Sequence, residues 1–486
     1  MNSVLDRIQA NRKTVFIAVA VFLLIIFGLI LLLPRGTSTT STTPLAGDSI
    51  QTELIWWRPF HTQQTYQDVI QSFNKTYPNV KITVVNKPYG ADYYKELIAA
   101  IAKGAGPDIF MIDNNDLPAY KDFLRPISLF QGSTLSNYRD SFADLVVKDT
   151  MDRDTVYGVA TELENLQMYY NKDLLAQAGI ALPATTWQEV ADQAPKLTKI
   201  DANLELTQSA ISLGHGGTRV NPDIGNIEQF NDIIPMFLMQ NGDSIYDTQS
   251  NRSVLGDKAD ISFKALNTYL QFANPSEKAY TWSGNLRSNI ELFSEGKLAY
   301  MVNYSYSAAQ IKEKNARLNF AVAPIPQLKL DNKKTFGTFF MNGINRNLAT
   351  QAEKDGLTSN AARKLKVTEN FLYFLSLPEN QQLVADKTLT PSANRTVLAK
   401  QQQLSTDVRF FATGALYADS YYQSCVDKTK KLWADLYFNV HYQTGAYQSG
   451  SSSRDVTDPR QIALKNAFNV TRQNYQTIVQ QGVCLR

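Results

Sequence analysis

One stretch of this chain is apolar without interruption. Residues Thr14 to Leu33 read TVFIAVAVFLLIIFGLILLL, about the twenty residues that cross a bilayer as a helix. Arg7, Arg12 and Lys13 precede it, and basic residues on that flank keep it cytoplasmic. The pattern predicts a single-pass anchor in the cell membrane, with residues 1–13 inside and everything after Pro34 outside. The competing pattern is a cleaved signal peptide, whose apolar core is about 7–15 residues long and ends at a small-x-small site. This run is longer, and Leu31-Leu32-Leu33-Pro34-Arg35 offers no such site. Asp48 also stands where a lipoprotein box beginning Leu45-Ala46-Gly47 would need its cysteine. An uncleaved anchor is therefore the expectation.

Periodicity vanishes across Gly36 to Pro44, which reads as a flexible tether over residues 34–49. It returns near Ile50. Glu53 to Trp57 is a short apolar run that predicts a buried strand. Tyr66, Val69, Ile70, Phe73 and Tyr77 fall at helical spacing and Pro78 follows as a stop. Val80, Ile82 and Val84 alternate as in a strand. Tyr94, Leu97, Ile98 and Ile101 mark another helix face, closed by Gly104-Ala105-Gly106-Pro107, and Asp108 to Ile112 is a third strand. The order β-α-β-α-β implies parallel pairing with right-handed crossovers. Ligands of such sheets bind beyond the carboxyl ends of the strands. Two loops lie there, Arg58-Pro59-Phe60-His61 and Asp113-Asn114-Asn115-Asp116. Ordinary turn chemistry would account for either alone, but both occupy one edge.

The middle alternates more irregularly. Met168 to Tyr170 is strand-like, Thr186 with Glu189 forms a capping box, and Ile233 to Met239 reads as helix up to Asn241-Gly242. Leu298 to Val302 and Phe320 to Ile325 are further strands, and a helix runs from about Asn360 to Leu377. The last hundred or so residues read mostly as helix, with an exposed loop at Gly450 to Ser453.

Composition narrows the chemistry. Forty-four per cent hydrophobic and 11% aromatic residues are those of a globular chain. A net charge of +3 with no long basic block gives no footprint for nucleic acid. Two cysteines, Cys425 and Cys484, fall on the expected oxidising side, where an even count favours a disulfide over two buried thiols. Phosphate-loop, dinucleotide and nucleophile-elbow motifs are missing, and the three histidines, His61, His215 and His441, are far apart in sequence. No cofactor or metal is expected. Glu162 and Glu164, two apart on an extended segment, would face one side. As an acid/base pair they would need to flank a glycosidic bond. On one side of a substrate they suit hydrogen bonding to sugar hydroxyls better.

Several segments together resemble the family 1 extracellular solute-binding proteins, the group that includes maltose-binding protein. They are FNKTYPNVKITVV (Phe73 to Val85), GAGPDIFMID (Gly104 to Asp113), YGVATELENLQMYYNKDLLAQAGI (Tyr157 to Ile180), FLMQNGDSIYD (Phe237 to Asp247), EGKLAYMVNYSYSAAQIK (Glu295 to Lys312) and FLYFLSLPENQQLV (Phe371 to Val384). They occur in the family's order. The resemblance implies an α/β, two-lobed periplasmic-binding-protein-like fold behind the N-terminal transmembrane helix. The lobes would be 50–158 with 323–378 and 159–322 with 379–486. The chain would cross between them near Tyr157–Thr161, Phe320–Ala323 and Leu377–Val384. A sugar would bind in the interlobe cleft, the hinge would close on it, and ABC importer permeases would read the closed form. Tyr306 and Tyr421 stand where many relatives have tryptophan. Asn115 stands where maltose-binding protein has a sugar-binding aspartate, which argues against maltose and leaves a sugar as the implied class.

Sugar pockets combine hydroxyl-binding Asp, Glu, Asn and Arg with aromatic faces. The candidates are Trp57, Arg58, His61, Asp113, Asn114, Glu162, Glu164, Asn165, Asn231, Trp282, Tyr304, Tyr306, Asn342 and Tyr421. The implied partners are an oligosaccharide, the permease subunits and, through the helix, the membrane; the chain is expected to be a monomer and no enzyme. The rivals are a glycoside-active enzyme using Glu162 and Glu164, and a sensory receptor with the same fold. The anchor expectation has a direct test. Intact-mass analysis of the membrane-extracted protein should find residues 1–33 retained, and a mature N-terminus beyond Pro34 would refute it.

Overall fold

The computed structural model describes residues 50–215, 225–247, 250, 252–255, 257–356, 358–439 and 459–485. The expected anchor and tether, and the Gly450 loop, lie outside the described residues. Among the described residues, no helix is long and apolar enough to cross a membrane.

The first lobe begins with the predicted β-α-β-α-β unit: β1 (Thr52–Arg58), α1 (Gln63–Asn74), β2 (Val80–Asn86), α2 (Ala91–Ala102) and β3 (Ile109–Asp113). β1 pairs in parallel with β2 (Thr52 opposite Val80) and with β3 (Trp56 opposite Ile109). Leu54, Trp56 and Arg58 point to the same buried side of β1, as alternation requires. The Trp56 ring packs against Tyr66 of α1 at 4.8 Å and Phe371 at 5.6 Å. A late strand, Phe340–Asn345, completes the sheet antiparallel to β3 and also pairs with Val159–Ala160. Its Asn342 is wholly buried; Nδ2 donates to the Val159 carbonyl at 2.9 Å and Oδ1 accepts from Trp56 Nε1 at 3.0 Å.

The second sheet has the strand order Lys199–Ile200, Leu206–Ile211, Leu298–Asn303, Gln167–Asn171, Phe320–Ala323. Helix Trp187–Leu197 covers it, and Thr186 and Glu189 form the predicted capping box. A third, small sheet joins the lobes: Thr335–Thr338 lies between Glu164–Asn165 and Ala418–Asp419. The chain leaves the first sheet after Val159–Ala160 and returns to it through Thr335–Thr338, later than the expected Phe320–Ala323, which is instead the edge strand of the second sheet, so residues 323–334 do not join the first lobe.

The third passage differs from the expected Leu377–Val384. Helix Pro378–Thr388 stays on the first lobe, where Lys387 pairs with Asp68 of α1 at 3.0 Å and Gln381 donates to the Ala160 carbonyl at 3.0 Å. The helix Arg395–Gln401 also stays there, with Arg395 paired to Asp144 at 2.6 Å. The chain turns to the second lobe only beyond it. The helices Val426–Phe438 and Pro459–Gln480 then pack on that lobe, joined by a Cys425–Cys484 disulfide.

Asn342 carries a stability prediction. Alanine there leaves the buried Trp56 Nε1 and Val159 carbonyl without their partners, at about 1–3 kcal/mol each at most. Asn342→Ala should lower the chemical-denaturation midpoint, and an unchanged midpoint would contradict the assigned bonds.

Candidate ligand-binding cleft

Between the lobes lies a cleft of about 600 Å³. The loop after β1 supplies Phe60 and His61, and the end of β3 with the turn after it supplies Asp113 and Asn115. Both loops stand at the carboxyl edge of the parallel strands. His61 takes a left-handed backbone, φ 62°, uncommon for a residue other than glycine. Asn86 of β2 steadies this turn by donating to the carbonyls of His61 (3.0 Å) and Pro59 (3.3 Å). The His61 ring then lies 3.2 Å, Nε2 to Oε2, from Glu162 on the connecting strand. Asp113 Oδ1 accepts from the Asn115 backbone at 2.9 Å and its side-chain amide at 3.0 Å, which fixes the carboxylate at the cleft wall.

Aromatic rings face one another across this space. On the first lobe Phe60, Tyr89 and Phe340 form a mutual cluster with centroids 4.9–5.3 Å apart. Phe60 is 37% and Tyr89 41% exposed. On the second lobe Tyr304 and Tyr306 are 5.8 Å apart and inclined by 32°, with Tyr306 43% exposed. Gln229 donates to the Tyr306 hydroxyl at 2.8 Å, and Tyr304 donates to Asp232 at 2.7 Å.

Glu164 ties this tyrosine pair to the joining sheet. Its Oε2 accepts from the Ser305 backbone at 2.9 Å and its Oε1 from the Ser305 hydroxyl at 2.6 Å. Ser305 sits between the two tyrosines. Burial raises the Glu164 carboxyl to about 7, against the lowering by both Ser305 bonds. Burial likewise raises Asp232 to about 6, opposed by its Tyr304 bond. Glu162 Oε1 and Asn231 Oδ1 are buried at the cleft without a hydrogen-bond partner. Both are acceptors, so a ligand that fills the space must offer donors.

A larger hollow, about 1260 Å³, adjoins the cleft and shares Asn115, Tyr421 and Gln423 with it. Its charged wall is engaged internally: Asp419 pairs with Lys148 at 2.6 Å and Lys334 at 2.9 Å, and Lys121 with Asp152 at 2.7 Å. The smaller cleft carries the unpartnered acceptors and exposed rings.

Eight of the sequence candidates meet in the cleft: His61, Asp113, Glu162, Glu164, Asn231, Tyr304, Tyr306 and Tyr421. Six do not line it. Arg58 is fully buried, its Nε donating to the Phe60 carbonyl at 2.7 Å and its guanidinium lying 3.9 Å from the Tyr66 ring centroid. It shares the parity of Trp56 and so faces inward. Trp57 points the other way, half-buried under Lys87 Nζ at 4.1 Å. Asn114 accepts from the Phe339 backbone (3.1 Å) and Thr338 hydroxyl (3.0 Å) and donates to Asp149 (2.7 Å). Asn165 donates to the Phe411 carbonyl at 2.9 Å and accepts from Gln167 at 2.6 Å. Trp282 is core, with Nε1 donating to Asn226 at 3.0 Å. Asn342 is the buried sheet residue described above. Phe60 lay in a loop already singled out. Tyr89, Asp232 and Phe340 were missed; only the exposed aromatic beside Gly90 offered a local signal.

Two cores, joining strands and a cleft that combines aromatic rings with buried polar groups are the build of a two-domain α/β binding protein. The chain belongs to the bacterial extracellular solute-binding protein family, whose model matches residues 60–350. Over 233 residues it is 27% identical to an arabinooligosaccharide-binding protein of Halalkalibacterium halodurans, covering 44% of this chain and 47% of that protein. An arabinooligosaccharide-binding protein of Bacillus subtilis is 28% identical over 180 residues, 35% of this chain and 41% of its relative. The chain thus spans under half the length of these two relatives. Among solved structures, a cyclo/maltodextrin-binding protein complexed with maltotetraose matches with a TM-score of 0.64 at 17% identity, over 87% of this chain and 97% of that one. At that identity the likeness shows the fold.

The raised Glu164 carboxyl gives a pH prediction. Between its usual value of 4.5 and about 7 the folded chain holds a proton that the unfolded chain has lost. This group's contribution therefore falls as pH rises through that window and levels off above it. Glu164→Gln carries no such titration. Relative to the wild type, the variant should gain stability between pH 5 and pH 8 in chemical denaturation. A wild-type-minus-variant difference that is flat with pH would refute the assignment.

Proposed function

We propose that this chain is the extracellular substrate-binding receptor of an ABC importer, and that it takes an oligosaccharide in the 600 Å³ cleft. The observation that carries the reading is the pairing of exposed rings on both walls with buried, donor-seeking acceptors between them. Flat C–H faces of a sugar suit Phe60, Tyr89 and Tyr306, and its hydroxyls suit Asp113, Glu162 and Asn231. The names of the arabinooligosaccharide-binding relatives support the same class. Residues from both lobes contact the ligand, so closure about the joining sheet holds it, and the permease subunits read the closed form. The helix expected at Thr14 to Leu33 tethers the receptor, as a monomer, to the cell membrane.

The glycoside-active alternative finds less support. Both Glu164 oxygens accept bonds from Ser305, which suits a positioning role better than attack on a sugar carbon.

Titration calorimetry with linear arabino-, galacto- and malto-oligosaccharides tests the proposal. Asp113→Asn on one wall and Tyr306→Ala on the other should each weaken binding about tenfold or more, the loss of a charge-assisted bond or a stacking face. Neither should lower the melting temperature of the unliganded chain appreciably. Sugar returned unchanged after incubation is expected; cleavage would favour the enzyme. Wild-type affinity in both variants would place the ligand elsewhere.

A further inference from the structure

Tyr421, Gln423, Val426 and Lys430 line the cleft from one short segment, and Val483 lines the adjoining hollow. Sheet pairing reaches only the start of that segment, at Ala418–Asp419. From Tyr422 onward, a repeated source of support is the C-terminal helix Pro459–Gln480 and the tail behind it. Tyr475 is wholly buried and donates to the Tyr422 carbonyl at 2.6 Å. The Ser424 hydroxyl donates to the Ile478 carbonyl at 3.2 Å, and the Cys484 backbone donates to the Ser424 carbonyl at 3.1 Å. Lys428 donates to Gln481 at 2.9 Å. The disulfide joins Cys425, between Gln423 and Val426, to Cys484. The tied residues, Tyr422, Ser424, Cys425 and Lys428, are interleaved with the wall residues Tyr421, Gln423, Val426 and Lys430, so one distant element holds the segment that carries the wall, and one of the ties is covalent.

We propose that the Cys425–Cys484 bond and the C-terminal helix are positioning elements of the ligand site. They hold Tyr421, Gln423 and Val426 in place, and the cleft binds fully only in the oxidised chain. The inference rests on the reading of the cleft as a sugar site, but its mechanical part stands apart from the ligand. Opening the bond with dithiothreitol transfers two electrons and two protons, leaves two thiols and converts the reagent to its cyclic disulfide.

Hydrogen exchange separates the two parts. It is measured on the full-length chain in detergent, oxidised and then reduced, and on the Cys425→Ser/Cys484→Ser variant. The expected result is exchange at least tenfold faster for amides of 420–430, with strands 109–113 and 298–303 unchanged. Affinity for the arabino-oligosaccharides should fall at least fivefold on reduction. Faster exchange at 420–430 in a chain that binds none of the sugars would support the positioning role while refuting the ligand reading. Unchanged exchange there, or unchanged affinity after full reduction, would overturn the proposal. Should the double variant unfold throughout, Tyr475→Phe decides, because it keeps the disulfide and loses one tie. Faster exchange confined to 421–426 then supports the inference, and wild-type exchange overturns it.

Discussion

The structure depends on satisfying the backbone where the chain passes between two cores without filling the space between them. A buried peptide group without a partner is costly. Here the partners come from a three-strand sheet around Thr335–Thr338 and from asparagine side chains at its margins. Asn114 closes the end of β3 onto Phe339 and Thr338, and passes a bond on to Asp149. Asp149 in turn accepts from Ser420 at 2.6 Å on the segment leading to the second lobe. Asn165 does the same work on the second-lobe side, and Gly414 makes room for it: a Cβ there would collide with the Asn165 and Gln167 amides. The cleft is what these junctions leave open.

That division explains the character of the site. Asn114, Asp149, Ser420, Asn165 and Gln167 at the junction are matched to one another, so they shape the cleft without being available to a ligand. Glu164 is the clearest case, because its carboxylate is committed to Ser305 and thereby sets the inclination of Tyr304 and Tyr306. The groups left for recognition are Asp113, the unpartnered oxygens of Glu162 and Asn231, and the exposed rings.

Much of the fold was legible because its signals are local. The apolar runs of β1 and β3, the alternation in β2, the helical spacing in α1 and α2 and the Thr186–Glu189 box each lie within a dozen residues. The misread positions share a different cause. Asn114, Asn165 and Asn342 look like ligand groups in a sequence because a side-chain amide suits either a sugar or a backbone. Only the approach of Phe339, Phe411 and Val159 decides, and each is more than forty residues away or belongs to another strand. Arg58 could have been read inward from its parity with Trp56. Tyr89 and Phe340 could not have been joined to Phe60 without knowing that the late strand returns beside β3. The family resemblance placed the second and third interlobe passages too early: Phe320–Ala323 pairs within the second sheet, and helix Pro378–Thr388 remains seated on α1.

Tyr421 belongs to both hollows and is only 8% exposed. Its hydroxyl accepts from Trp433 at 2.8 Å, and its ring is edged by Phe336, Trp433 and Tyr475. With Asn115 and Gln423 it forms wall common to the two hollows. The size of this one side chain therefore bears on two spaces at once, because trimming it would remove wall from each. A change at this position would reach the ligand cleft and its neighbour together, with the cores and the crossings left as they are.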